Sequence, residues 1–265
     1  MISLIIPTYK NPKCLDICLR SAIEQQNNKN EIIVVVDGFV EESQHILDKY
    51  SEDIKVLPLT QNQGMQQALN LGVMNASNEK ILIINDDNVL CKDWDLISSE
   101  VEKNSVLTIN QIEPTGPGIF NFPVKDFGML DNFEYEEFIK YELTIRKDYL
   151  TLDGGIFPFA MYKKDYMVVG GFDIMYQSPF ICDWDFFLKL DLKGVKFKRT
   201  HKGHFYHFGS IATKNRKDGD EIKFKSSEQP AAELFTYKWG ISPRLFQNNS
   251  HNPKNNQIVK GIKYE

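Results

Sequence analysis

The chain has 265 residues, 42% hydrophobic and 25% charged, an ordinary globular composition with enough apolar material for one substantial core. A formal charge of −5 speaks against nucleic acid as the main partner, since such binders carry a clear basic excess; a local basic patch remains compatible with it. The four cysteines, Cys14, Cys18, Cys91 and Cys182, form no CxxC pair, which points away from a zinc site or a disulfide framework and toward a reduced cytosol.

In chain order, residues 2–7 predict a short buried strand. Asn11 and Pro12 then supply an N-cap and a first-turn proline for a helix whose apolar face is Leu15, Cys18, Leu19, Ala22 and Ile23, with Cys14 also inward. Residues 32–36 form a second aliphatic strand ending in Asp37-Gly38. Ile46, Leu47 and Tyr50 mark an amphipathic helix, and residues 54–59 a third, weaker strand. Residues 62–75 predict a helix from the spacing of Met65, Ala68, Leu69 and Val73, and a fourth strand opens at Ile81. Four strands alternating with three helices are the signature of a parallel sheet with right-handed crossovers.

Beyond Asn88 the pattern loosens. A short helix near Trp94, a strand over 106–112, a Pro/Gly-rich loop over 113–123, a helix over 132–147 and a strand over 156–162 precede a helix over 183–192 with Phe186, Phe187 and Leu190 inward. A basic strand over 195–200 leads to the His-rich GHFYHFGS, and residues 226–239 predict a last helix. The Asn- and Lys-rich tail from Ile241 is expected to be poorly ordered or to wrap the surface. No leader precedes the first strand and no run of about 18 apolar residues occurs, so the expected location is cytoplasmic, with peripheral attachment to the inner face of the membrane left open.

The stretch ILIINDDN, residues 81–88, carries the chemistry. Aliphatic residues without alternation indicate a strand buried on both faces, and Asn85, Asp86 and Asp87 mark its carboxyl end, the edge where ligands bind in open α/β sheets. Two carboxylates beside a carboxamide offer hard oxygen ligands of the kind Mg²⁺ or Mn²⁺ accepts while holding substrate phosphates. A solvated Asp/Asn turn explains the tetrapeptide alone equally well, and a turn aspartate before Gly38 explains Asp37 alone. Two such strand ends on one sheet edge are harder to explain that way.

Four segments then match a known pattern in order. Residues 5–9, IIPTY, resemble an opening strand and PTYN loop, and residues 32–38 resemble a strand ending in an aspartate-glycine pair. Asn62, Gly64, Ala68, Asn70 and Gly72 reproduce NxGxxxAxNxG, and Asn85-Asp86-Asp87 stands in the place of a DxD. Together the first hundred residues resemble the nucleotide-sugar-binding half of family 2 glycosyltransferases with the GT-A fold. Residues 169–173, VGGFD, with Asp183-Trp184-Asp185 are similar to the family's GGFDE segment and acidic EDxD loop, and residues 207–210, HFGS, to its histidine-containing stretch. The resemblance covers residues 2–210.

It implies an α/β GT-A (nucleotide-diphospho-sugar transferase) fold, with a Rossmann-like, mostly parallel central sheet flanked by helices. The expected division is a transferase domain over 1–225, with a donor half over 1–100 and an acceptor half over 101–225, followed by a C-terminal helix and polar tail over 226–265. The implied donor site comprises Pro7, Thr8, Tyr9, Asp37, Asn62, Gly64, Asn85 and Asp86, with Tyr9 and Asp37 on the base. Asp87 binds Mn²⁺ or Mg²⁺, with His207 a further candidate ligand. Asp183 maps to the general base of inverting members, and Gly155, Trp184 and Asp185 to the acceptor side. The implied partners are a nucleotide-sugar donor, most simply UDP-linked, and a glycan or lipid-linked glycan acceptor; the oligomeric state is undefined.

Some positions depart from the family pattern. Asn85 replaces the first aspartate of DxD, Cys182 the acidic residue before Asp183, and Leu69 an arginine, the last then reading as packing. Asp185 is the fallback base, although one turn of helix could equally bury it. His204 has a structural reading as well as a ligand reading. Lys196, Lys198, Arg199 and Lys202 read as a solvated strand face, Lys214, Arg216 and Lys217 as a lid over a diphosphate, and Gly154, Phe157 and Phe159 as acceptor-pocket or core residues. Two rivals remain: a non-catalytic nucleotide-sugar-binding module, and a nucleotidyltransferase, for which PTYKNPK lacks the glycines of a phosphate loop.

Overall fold

The computed structural model describes residues 1–116, 122–209 and 220–243. The first half alternates as the pattern predicts: β1 (Ser3–Thr8), α1 (Pro12–Glu24), β2 (Glu31–Asp37), α2 (Val40–Lys49), β3 (Lys55–Leu59), α3 (Met65–Asn75) and β4 (Lys80–Ile83). The second half contributes β5 (Asn88–Val89), a 3₁₀ segment (Trp94–Glu100), β6 (Ser105–Ile112), α4 (Tyr135–Ile145) and β7 (Leu150–Thr151). It continues with β8 (Phe159–Tyr162), α5 (Lys163–Val168), α6 (Cys182–Leu192), β9 (Lys196–His207) and α7 (Asp220–Trp239).

One sheet runs through both halves in the order β3-β2-β1-β4-β8-β6-β9-β5, with β7 on β9. The first four strands are parallel, as expected. Beyond them the sheet is mixed, because β8 is antiparallel to both β4 and β6 while β6 and β9 are parallel. An aliphatic strand reads alike in either direction, so this reversal had no signature in residues 156–162.

Successive residues of β1 and β2 face opposite ways, and both faces are covered. Leu4, Ile6 and Val34 pack with Leu15 and Leu19 of α1 and with Trp94; Ile5, Ile33 and Val35 pack with Leu69 and Val73 of α3 and with the Phe159 and Phe186 side of the second half. Burial on both faces, each such side chain contributing about 1.5–3 kcal/mol, explains the absence of polar alternation. All four cysteines are buried and free, with Cys14 and Cys18 on the inner face of α1. Among the described residues, no helix is long and apolar enough to cross a membrane.

Several expected details differ. Asn11 occupies the N-cap position of α1 but makes no cap bond; its Nδ2 donates to Asp86 Oδ1 at 3.2 Å, a longer-range partner that local spacing cannot reveal. Helix α3 starts at Met65, because residues 62–64 are held by Asp37 instead. The basic strand and the His-rich segment are one strand, β9, with a register shift opposite Ile109 and Asn110. Lys196 is exposed, as expected of a solvated face, but the other three cations are paired: Lys198 with Glu102, Lys202 with Glu100 and Asp148, and buried Arg199 with Asp153 and Asn110. The lid candidates Lys214, Arg216 and Lys217, and the tail from residue 244, lie outside the described residues.

Helix α3 is seated directly on β1 and β2 at Gly72, where an added Cβ would lie 2.6 Å from Ile5 Cγ2. Gly72→Leu should therefore lower the unfolding free energy in urea by about 1–3 kcal/mol through overpacking. An unchanged midpoint would show that α3 does not rest on these strands.

Candidate active site

The site begins where β1 and β4 part. Their pairing ends at Ile5 opposite Ile83, followed by one more bond from Ile84 N–H to the Ile5 carbonyl at 3.2 Å. Beyond it Pro7 and Thr8 pair only with β2, so the proline's missing N–H costs nothing on the β4 side. Thr8 Oγ1 bridges the parted ends by donating to Asp86 Oδ2 at 2.7 Å. Tyr9 follows, edge-on to Phe39 at 5.8 Å, with Lys10 Nζ 3.9 Å from the Phe39 ring centre.

Asp37 closes β2 and is buried. Its Oδ1 accepts the Gln63 N–H at 2.7 Å, and its Oδ2 accepts the Gly64 N–H and Asn62 Nδ2, both at 2.9 Å. Gly38 must lack a side chain here, because at φ +79° a Cβ would stand 2.6 Å from the Asn62 nitrogen. Asp37, Asn62 and Gly64 thus form one unit in which the carboxylate organises the loop entering α3. Direct contact of Asp37 with a base would compete with these bonds.

After β4 the chain turns sharply: the Asn85 N–H donates to Asn88 Oδ1, and the Asn88 N–H to the Asn85 carbonyl. Asp87 is 2% exposed, and its Oδ1 has no hydrogen-bond partner among the described residues. Its Oδ2 lies 3.5 Å from His207 Nε2, and its carbonyl accepts the Phe208 N–H at 3.1 Å. The pairing of Asn88 with His207 in β5 and β9 brings the distant histidine to the acidic strand end. On the other ring nitrogen, His207 Nδ1 lies 2.9 Å from Glu113 Oε1. Burial opposes charging of this imidazole, but Asp87 and Glu113 outweigh it and push its pKa up to about 10.

A buried hard oxygen without a partner, beside an imidazole nitrogen separated by more than a hydrogen bond, fits a divalent cation. No group of three or more His, Cys, Asp or Glu side chains converges as a ready cage among the described residues. Further ligands would come from substrate phosphates and water. His204, three residues from His207 and so on the opposite face of β9, meets Glu142 and Asn110 instead.

A second candidate group lies at the start of α6. Asp183 lies in its first turn, partly exposed, with Oδ1 accepting the Trp184 N–H at 3.0 Å. Enclosure by protein raises its pKa to about 6, and the first amides of the helix offset this only in part. Cys182 is buried, and that burial keeps its thiol neutral well above the ordinary range, so Asp183 has no acidic neighbour in that place. Ile181, just before, has φ +70°, a strained conformation for a β-branched residue.

The acceptor candidates fare differently. Trp184 is partly exposed, while Gly155 is buried, its N–H donating to Thr108 Oγ1 at 3.0 Å. Asp185 is fully enclosed and accepts from Trp239 Nε1 at 2.8 Å and Lys238 Nζ at 2.7 Å. Asp185 thus clasps α7 to α6, the buried alternative to its reading as fallback base and acceptor contact. Phe39 and Glu113 were missed. Phe39 follows the Asp37-Gly38 pair in sequence, a usable signal; Glu113 meets His207 only through the order of strands.

These features agree with a family match over residues 3–169 to the model described as glycosyl transferase family 2. The chain belongs to that family. It is 26% identical over 193 residues to an uncharacterized glycosyltransferase of Haemophilus influenzae, covering 72% of this chain and 62% of that protein. It is 24% identical over 204 residues to poly-beta-1,6-N-acetyl-D-glucosamine synthase of Staphylococcus aureus, covering 74% and 47%. The chain thus spans less than two thirds of the length of these curated relatives. Among solved structures, S. aureus TarS residues 1–349 in complex with UDP superposes with a TM-score of 0.57 at 19% identity, covering 92% of this chain and 73% of that one. GalNAc-T7 with UDP, GalNAc and Mn²⁺ gives 0.58 at 16% identity, covering 79% and 44%. The fold is GT-A.

Because folding raises the Asp183 pKa, its protonated form stabilises the protein at low pH, and that contribution is lost as pH rises through about 6. Asp183→Asn should therefore melt higher than the parent at pH 7.5, by on the order of 1–3 kcal/mol in stability, with the gap closing toward pH 4. Identical melting at both pH values would mean that the carboxylate is fully hydrated.

Proposed function

We propose that the protein transfers a sugar, with inversion, from a nucleoside-diphosphate donor, most simply UDP-linked, to a hydroxyl of a glycan or lipid-linked glycan, with Mn²⁺ or Mg²⁺ as cofactor. The observation that carries this reading is the meeting, at one sheet edge, of a buried Asp87 carboxylate oxygen that has no partner among the described residues and an imidazole from β9. The UDP in the TarS complex and the UDP and Mn²⁺ in the GalNAc-T7 structure support the choice of donor and cofactor.

Asp87 and His207 would hold the cation, which would supply charge neutralisation for the diphosphate leaving group. Tyr9 and Phe39 present aromatic surface to the base beyond β1 and β2, while Asp37 keeps residues 62–64 in place beside them. Thr8 and Asn11 fix Asp86 toward the ribose side. Asp183 accepts the acceptor hydroxyl proton as the sugar gains oxocarbenium character. A carboxylate with a pKa near 6 is ionised at neutral pH yet more basic than an ordinary aspartate.

Titration with UDP should show binding that strengthens with Mn²⁺ in the wild type and loses that dependence in Asp87→Ala. With a panel of UDP-sugars, transfer should fall by at least about 10²-fold in Asp183→Asn while UDP affinity is retained. The rate in the wild type should rise as pH passes through about 6. Nucleotide binding indifferent to metal in every variant would defeat the reading. Metal-dependent binding without any transfer would favour the non-catalytic module instead.

A further inference from the structure

Glu113 is the first residue after β6, at the start of the loop that returns through Pro123 and Lys125. Its backbone is fixed on both sides: its N–H donates to the Pro123 carbonyl and its carbonyl accepts the Lys125 N–H, both at 3.0 Å, around a bridge to Val124. From that support its carboxylate reaches His207 Nδ1 at 2.9 Å, while Nε2 on the far side of the ring faces Asp87 Oδ2 at 3.5 Å. The side chains of Glu113, His207 and Asp87 are 14%, 16% and 3% exposed, so water competes weakly for these contacts.

We propose that Glu113 is a positioning residue: it holds the His207 ring with Nδ1 as hydrogen donor, so that with a cation bound Nε2 presents its lone pair to the cation and diphosphate end of the donor site. The proposal rests on the donor-site reading above. An imidazole can ligate only through an unprotonated nitrogen, and the bond made by one ring nitrogen decides which proton the other keeps. Glu113 is not itself a ligand beside Asp87, because it meets the ring from the opposite side. The arrangement also ties the loop leaving β6 to the cation site, since the same residue starts that loop and orients the histidine. Nothing in the Pro/Gly composition of residues 113–123 distinguishes this glutamate; only the adjacency of β6 and β9 does.

The test uses the full chain as wild type, His207→Ala, Glu113→Ala and Glu113→Gln, each checked for folding by circular dichroism and melting. Mn²⁺ uptake in the presence of UDP is read by electron paramagnetic resonance, and UDP binding in EDTA by calorimetry. Glu113→Ala should weaken Mn²⁺ by roughly 10–100-fold, close to His207→Ala, and leave UDP binding in EDTA unchanged. Glu113→Gln should recover part of the loss, because its amide oxygen can still accept the Nδ1 proton. Mn²⁺ affinity in Glu113→Ala within about twofold of wild type, or no recovery in Glu113→Gln, overturns the role of Glu113 alone. A wild type that takes up no Mn²⁺ with UDP overturns the donor-site reading and this role together. Nitrogen-15 NMR of the wild-type Mg²⁺ and UDP complex gives an answer that needs no variant: His207 should carry its proton on Nδ1, and the reverse tautomer overturns the proposal.

Discussion

Beyond the hydrogen bond from Ile84 N–H to the Ile5 carbonyl, strands β1 and β4 stop pairing, and the rest of the site depends on that parting. A ladder that continued would place Pro7 where a donor is required and would close the gap between Thr8 and Asp86. Instead the two strand ends diverge, and a single side-chain bond from Thr8 to Asp86 spans them. The aliphatic residues below the break are buried on both faces, so the polar residues above it emerge from a rigid base rather than from a flexible loop.

The second half of the chain completes this edge from two directions. Strand β9 brings His207 beside Asp87 through its pairing with β5, and the loop after β6 brings Glu113 to the other side of the same ring. Helix α6 carries Asp183, and its placement is tied to α7. Lys238 and Trp239 hold Asp185, two residues beyond Asp183, while Ala231 and Phe235 bury the inner side of the helix. Electrostatics follow from these placements: in the metal-free protein two facing carboxylates raise the pKa of the histidine, whereas partial burial makes Asp183 more basic.

The donor half was readable because its signals are local. A continuous aliphatic run followed by Asp-Gly or Asn-Asp-Asp states both a doubly buried strand and its polar end, and Met65, Ala68, Leu69 and Val73 state the helix face that covers it. Even there, local spacing placed the start of α3 three residues early and gave Asn11 a capping role. In both cases an aspartate from another strand end, Asp37 or Asp86, holds the group. The acceptor half was less readable, since an enclosed carboxylate such as Asp185 and a partly exposed one such as Asp183 stand two residues apart on the same helix. Which of them is enclosed depends on what packs over the turn.

The amino-acid sequence by itself determined the alternating strands and helices of the first half, the carboxylates at the ends of β2 and β4, and the family to which the chain belongs. The strands, helices and carboxylates follow from residue spacing within one element or one turn, and the family from the resemblance of several short motifs in order. Only the tertiary structure decided that β8 runs antiparallel, that Arg199 is an enclosed partner of Asp153, that Asp185 clasps α7, and that Glu113 stands behind His207. These outcomes depend on which distant strands become neighbours in the sheet, and that order is set by packing of the whole core rather than by any short stretch of chain.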